Sequence, residues 1–271
     1  MDQKRELTSI DLAALVGELN EYEGAKVDKA YLYGDDFLRL KLRDFERGRV
    51  ELLIEVGEVK RAHIAVPEHV PDAPGRPPDF AKMLRNRLSG ADFAGVTQYE
   101  FDRILSFEFE REDQNTTVIA ELFGQGNVAV CDETRHVIDS LDTVRLKSRT
   151  VAPGSRYEFP DTRVNPFSLD EDRFTGLMNE SNSDLVRTLA TQLNLGGLYA
   201  EEVCTRAGVE KEIPVEKADE EQLSTLYNSL SRLAAEVKEK RFDPRIYRED
   251  GELMDVTPLA IEEHAGIESD S

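Results

Sequence analysis

The spacing of apolar residues changes period once along this chain, and that change limits the folds open to it. Over the first 144 residues the apolar side chains alternate in short runs: Val27–Tyr33, Phe37–Arg43, Val50–Val56, Ala62–Val66, then Phe93–Gln98, Ile104–Arg111, Thr117–Phe123, Asn127–Cys131 and Val137–Val144. Alternation broken by charged or glycine positions predicts half-buried strands in antiparallel meanders. From Asp184 onward the spacing is helical, with Leu223, Leu226, Tyr227, Leu230, Leu233, Ala234 and Val237 on one face of a predicted helix over 220–239. The expected class is therefore α+β: a β-rich N-terminal lobe followed by a helical domain.

Two helices punctuate the strands. Thr8 is placed to cap a helix with Asp11 three residues on, and Leu12, Leu15, Val16 and Leu19 follow at helical spacing before Gly24. Residues 67–78 hold five of the eleven prolines and read as a connection. Pro77-Pro78-Asp79 then starts a helix over 80–88, closed by Gly90. The order helix, strands, helix, strands suggests two halves, although no residue-level identity relates them. The expected divisions are a β-rich domain over 1–165, a linker over 166–182, a helix-hairpin-helix with a long helix over 183–240, and a tail over 241–271 with a strand pair at 246–248 and 253–257. The ending, with no closing element, reads as truncated.

Composition excludes several classes. No apolar run reaches the roughly 18 residues of a membrane span. Met1 to Glu6 carries no apolar stretch of the secretory kind. Two cysteines, Cys131 and Cys204, make neither a disulfide framework nor a zinc site, and the four histidines lack metal-ligand spacing. A cytoplasmic protein without metal or other cofactor is expected. The 55 acidic residues outnumber the 34 basic ones, for a net charge of −21, and only 11 of the basic residues are Lys. That bias points to a cell with molar internal salt, an ordinary acidic protein being the alternative. In molar salt the Debye length is about 3 Å, so a negative net charge no longer argues against a nucleic-acid partner.

Three motifs carry candidate chemistry. Residues 189–202, with Gly196-Gly197 between two helical segments, have the character of a helix-hairpin-helix, where glycines allow close approach and the second helix offers N–H groups to a phosphate; an ordinary helical corner is the alternative. Asp102-Arg103 before an apolar strand supplies a donor and an acceptor for a base edge, or a solvated surface pair. Glu121 to Asn127, with Gly124 and Gly126, forms a tight turn open to close approach, or merely a hairpin. A nucleophile elbow, a phosphate-binding loop and a dinucleotide fingerprint are all missing.

Together these segments resemble the NFACT family of ribosome quality-control factors, known as RqcH in bacteria and NEMF in animals. The resemblance rests on Ser9-Ile10-Asp11-Leu12, the stretch from Pro77 to Gly90, Phe101-Asp102-Arg103-Ile104, Glu121 to Asn127, and the helix-hairpin-helix with Tyr199-Ala200-Glu201-Glu202, in that order over residues 8–258. It implies a β-rich lobe related to the Fpg/Nei DNA glycosylases. It implies a non-enzymatic module that binds tRNA and the large ribosomal subunit with its obstructed peptidyl-tRNA. Such factors recruit tRNA, alanyl-tRNA in bacteria, for template-free tailing of the nascent chain. No membrane or small-molecule partner is implied. The residues matched to tRNA binding are Asp11, Asp102 and Arg103, with Glu121 and Asn127 as a second contact. Gln125 departs from the family, which often has Arg there. The alternatives are an Fpg/Nei-like DNA-binding protein or glycosylase, for which Met1-Asp2-Gln3-Lys4 lacks the N-terminal proline and adjacent Glu, and a fibronectin-binding adhesin, for which no export signal is seen.

Overall fold

A computed structural model describes residues 6–161 and 164–270. The first residues, on which the readings about export and an N-terminal proline depend, lie outside these. The structure is a mixed α/β fold with a large β-rich N-terminal region, as expected. Helix α1 (Ser9–Asn20) is followed by β1 (Lys26–Tyr33), β2 (Phe37–Asp44), β3 (Gly48–Val56) and β4 (Lys60–Ala65). Helix α2 (Asp79–Leu88) precedes β5 (Asp92–Gln98), β6 (Ile104–Arg111), β7 (Gln114–Glu121), β8 (Asn127–Asp132) and β9 (Val137–Ser140).

These nine strands form one antiparallel sheet in the order β4-β3-β2-β1-β5-β6-β7-β8-β9. Inward side chains of both meanders, among them Leu40, Leu52, Ile54, Phe93, Phe107 and Val118, share one core. The halves meet at β1 and β5, but the register there consists of Lys26 opposite Asp92. Beyond it the helices satisfy the strand backbones. Asn20 of α1 exchanges both amide bonds with Val96 of β5, at 3.0 and 2.7 Å. Arg85 of α2 donates through Nε to the Ala30 carbonyl of β1 at 2.8 Å. Each helix thus packs on the first strand of the other half. Buried backbone groups must be paired, and these two long side chains supply the partners that the diverging strands lack.

The outer face of the second meander is covered by β10 (Val144–Arg145), β11 (Thr150–Val151) and residues 152–159, burying Ile104, Ile119, Cys131, Val151 and Tyr157. The helical part comprises α3 (Glu171–Asn179), α4 (Leu185–Thr191), α5 (Gly196–Ala207) and α6 (Glu220–Lys238) around a second core. Ile10 and Phe101 of the β-rich region reach into that core.

The structure corrects several sequence expectations. The stretch 166–182, expected as linker, contains α3, whose Phe174, Leu177 and Met178 are buried. Helix α4 is capped by Asp184, which accepts from the Arg187 N–H at 2.9 Å. Gly196-Gly197, expected as a turn ahead of the helix, form the first positions of α5, Gly196 with a φ of 73°. The tail strands β12 (Arg245–Glu249) and β13 (Glu252–Thr257) are joined by a third, β14 (Glu268–Asp270).

Candidate nucleic-acid interface

The turn between β5 and β6 sits where the β-rich region meets the helical part. The Asp102 N–H donates to the Tyr99 carbonyl at 2.9 Å, closing the turn, and Glu100 takes a φ of 48°. Gln98 donates to two carbonyls, those of Asp102 and Ser9, each at 2.9 Å, so one amide ties the turn to the start of α1. Phe101 is buried with its ring 4.2 Å from that of Phe167. Tyr99 stacks on Phe159 with centroids 3.8 Å apart and planes 3° from parallel. The backbone is held from both sides.

Within this frame the two adjacent residues have different tasks. Asp102 is buried, and its Oδ1 accepts from the Arg103 N–H at 2.7 Å, fixing the direction in which the next side chain leaves the turn. The Arg103 side chain keeps 24% exposure and its guanidinium donates through Nη1 to Glu6 Oε2 at 2.6 Å. Glu6 also accepts from Lys60 Nζ at 3.0 Å. Burial raises the Glu6 pKa, but the hydrogen bonds and charges of Arg103 and Lys60 outweigh it and hold the carboxyl below its ordinary value. A planar, always-charged donor fork held at a lobe junction suits a base edge or a phosphate.

Asp11 lies at the third position of α1 and forms a capping box: its Oδ2 accepts from the Thr8 N–H at 2.7 Å, and its own N–H donates to Thr8 Oγ1 at 3.1 Å. Its charge also helps raise the pKa of Tyr199, after the larger effect of burial. Gln98 therefore brings the start of α1 and the Asp102-Arg103 turn together. Asp11 is buried.

Glu121 and Asn127 face one another across β7 and β8, with both side chains engaged inside the fold. Arg149 grips Glu121 with two bonds of 2.8 Å, and Tyr157 Oη donates to Glu121 Oε1 at 2.7 Å. Asn127 donates to the Asp142 carbonyl at 2.9 Å and accepts from the Asp142 N–H at 3.0 Å. Gln125 is exposed at the tip of the turn. Gly126 is constrained twice: its φ is 75°, and a Cβ there would lie 1.7 Å from the Val56 carbonyl oxygen. The turn is adjacent to the site because the Leu122 N–H donates to the Arg103 carbonyl at 2.8 Å.

Sequence reasoning missed Glu6, Lys60, Gln98, Arg149 and Tyr157, which build this region. Gln98 closes the alternating run Phe93–Gln98, which marks a strand but not its role, and the other four fall in no periodic pattern or motif, so local sequence held no signal for what they do. The connection between α4 and α5 approaches the same place, since Asn194 Nδ2 donates to the Phe101 carbonyl at 3.4 Å. Among the described residues no group of three or more His, Cys, Asp or Glu is placed to hold a metal. No helix among them is long and apolar enough to cross a membrane.

Comparison with known proteins agrees with this architecture. The family model described as NFACT N-terminal and middle domains matches residues 8–271. The archaeal Rqc2 homolog aRqcH of Methanocaldococcus jannaschii is 32% identical over 98% of this chain and 40% of its own length. The human ribosome quality control complex subunit NEMF is 24% identical over 84% of this chain and 21% of its own length. This chain therefore spans well under half of either relative. The fibrinogen binding protein from Staphylococcus aureus shares the fold, with a TM-score of 0.75 at 22% identity, covering 94% of this chain and 91% of that one. The MutM (Fpg) protein from Thermus thermophilus also aligns, at a TM-score of 0.43, too distant to bear on activity. With the model matching nearly every residue, the chain belongs to the NFACT family.

Proposed function

We propose that this chain is the tRNA-holding part of a ribosome quality-control factor. In this reading it acts without chemistry of its own, in the cytoplasm, on large ribosomal subunits that retain an obstructed peptidyl-tRNA. It recruits tRNA for template-free tailing of the stalled chain. The observation that carries the reading is the Asp102-Arg103 turn. Asp102 spends its carboxylate on the Arg103 backbone, so Arg103 is the group aimed outward, at the junction of the two parts. A guanidinium there reads an unstacked loop base or grips a phosphate. Asp11, Glu121 and Asn127 serve this site by holding its supports, with Gln125 the exposed group of the neighbouring turn.

Folded tRNA binding to the 271-residue chain tests this. Arg103→Ala is expected to weaken binding about 10-fold, the loss of one or two charge-assisted bonds. Asp102→Ala, which removes the acceptor that guides Arg103, weakens it less. Equal tRNA affinity of Arg103→Ala and the parent chain overturns the reading.

A further inference from the structure

We propose that the β2–β3 hairpin and the outer face of the strands beside it form a second RNA contact, in which Phe45 stacks on an unpaired base and Lys29, Lys41, Arg43 and Arg49 hold the adjoining phosphates. This rests on the reading of the chain as an RNA-holding module and adds a site to it.

Phe45 stands at the tip of the hairpin with 93% of its surface exposed, the most exposed large apolar side chain among the described residues. The tip is nonetheless ordered by its own bonds. Asp44 Oδ1 accepts from the backbone N–H groups of Glu46 and Arg47, at 2.8 and 2.6 Å. Arg47 donates to the Glu21 carbonyl at 2.8 Å and its guanidinium lies 5.4 Å from the Tyr22 ring centre. The hairpin is thus pinned to the end of α1 while its aromatic ring is left in solvent. That combination costs free energy in the isolated molecule, since a fixed ring gains nothing from water.

The neighbouring charges tell what would cover it. Lys29 faces Lys41 across β1 and β2, and Arg43 faces Arg49 across β2 and β3. Positions 41 and 43 share one face of β2, so two like-charged pairs lie side by side. Like charges directly opposite destabilise a sheet. Lys29, Arg43 and Arg49 are exposed and Lys41 is half-buried. Carboxylates nearby are largely engaged: Glu51 is buried against Arg39, and Asp28 lies 3.4 Å from Arg43, with Glu46 left exposed at the tip. In a chain of net charge −21 a retained patch of this kind selects a polyanion. A ring beside cations is the pattern that binds unpaired nucleotides, and an apolar protein partner that filled the Phe45 position would leave Lys29, Lys41 and Arg49 without counter-charge, Arg43 keeping Asp28.

The second contact is set apart from the first. Arg103 belongs to a turn tied to the start of α1, and the hairpin is tied to its end. Twelve helical residues separate the anchors by about 18 Å. One folded RNA that exposes a loop can engage both.

Two probes are needed: a fluorescein-labelled single-stranded RNA of about 12 nucleotides, and folded tRNA. Phe45→Ala is expected to weaken oligonucleotide binding about 10-fold, with Phe45→Tyr retaining it. Lys41→Gln/Arg49→Gln is expected to reduce the slope of log affinity against log salt by about 1.4, two single-strand phosphates. Unchanged affinity in Phe45→Ala with both probes overturns the second contact, even where Arg103→Ala loses tRNA and the first reading stands. The converse, loss of oligonucleotide on Phe45→Ala with tRNA indifferent to Arg103→Ala, keeps this site and removes the other. A protein, rather than RNA, crosslinked by a photoreactive group at position 45 also overturns it.

Discussion

Arg103 Nη1 lies 2.6 Å from Glu6 Oε2, so the guanidinium aimed out of the β5–β6 turn already has an internal counter-ion. An incoming phosphate or base edge must displace Glu6, which then keeps its bond to Lys60. Glu6 is 43% exposed, so the pair is worth no more than about 1 kcal/mol. Glu6→Gln should therefore tighten tRNA binding by up to about 5-fold. Binding isotherms at fixed salt decide it, and weaker binding in the variant would show that Glu6 helps hold the RNA.

Glu121 separates support from contact. Its side chain and that of Arg149 keep 5% and 7% exposure, and removing the acid leaves a buried guanidinium without its partner. Glu121→Ala should cost about 3–5 kcal/mol of stability, whereas Arg103→Ala leaves stability within about 0.5 kcal/mol. Chemical denaturation of the two variants measures both numbers. A Glu121→Ala chain that is fully stable yet loses tRNA would make Glu121 a direct contact.

The two glycines of the β7–β8 turn should respond unequally. Gly124 has a φ of 58° and nothing within 4 Å of an added Cβ, so Gly124→Ala costs about 1 kcal/mol. Gly126→Ala adds a collision with the Val56 carbonyl and should cost clearly more. Thermal unfolding of the pair ranks them; equal losses contradict the close approach.

His63 on β4 predicts a pH dependence. Burial lowers its pKa below 6.5, with Arg61 reinforcing the shift and Glu55 opposing it. The unfolded chain then binds the extra proton first, so stability is lost as pH falls below the unfolded value of 6.5, by at most about 1.4 kcal/mol per pH unit. His63→Gln should flatten the stability profile below about pH 6.5. An unchanged acid limb would mean that another group sets it.

Legibility in the sequence followed the range of the interactions. The capping box of Thr8 and Asp11 and the alternation of β1 to β8 are local, and the period change near Asp184 announced the helical part. Helix α3 went unread because Gly176 and five polar residues dilute its apolar positions over nine residues. Its helical state comes from Phe174 and Met178 packing into a core built mostly by α4 to α6. The exchange by which Asn20 serves β5 and Arg85 serves β1 spans 76 and 55 residues, beyond any window of periodicity. In the candidate site Asp102-Arg103 stood out as an adjacent acid and base, but Glu6 and Gln98 gain meaning only through contacts 97 and 89 residues away.

The most direct measurement is to purify the chain in molar KCl and sequence the RNA that accompanies it, beside Arg103→Ala prepared identically. Enrichment of one or a few tRNA species, lost in the variant with its fold intact, is the result expected. The same RNA population with both proteins, or none with either, would contradict the assignment of tRNA to this turn.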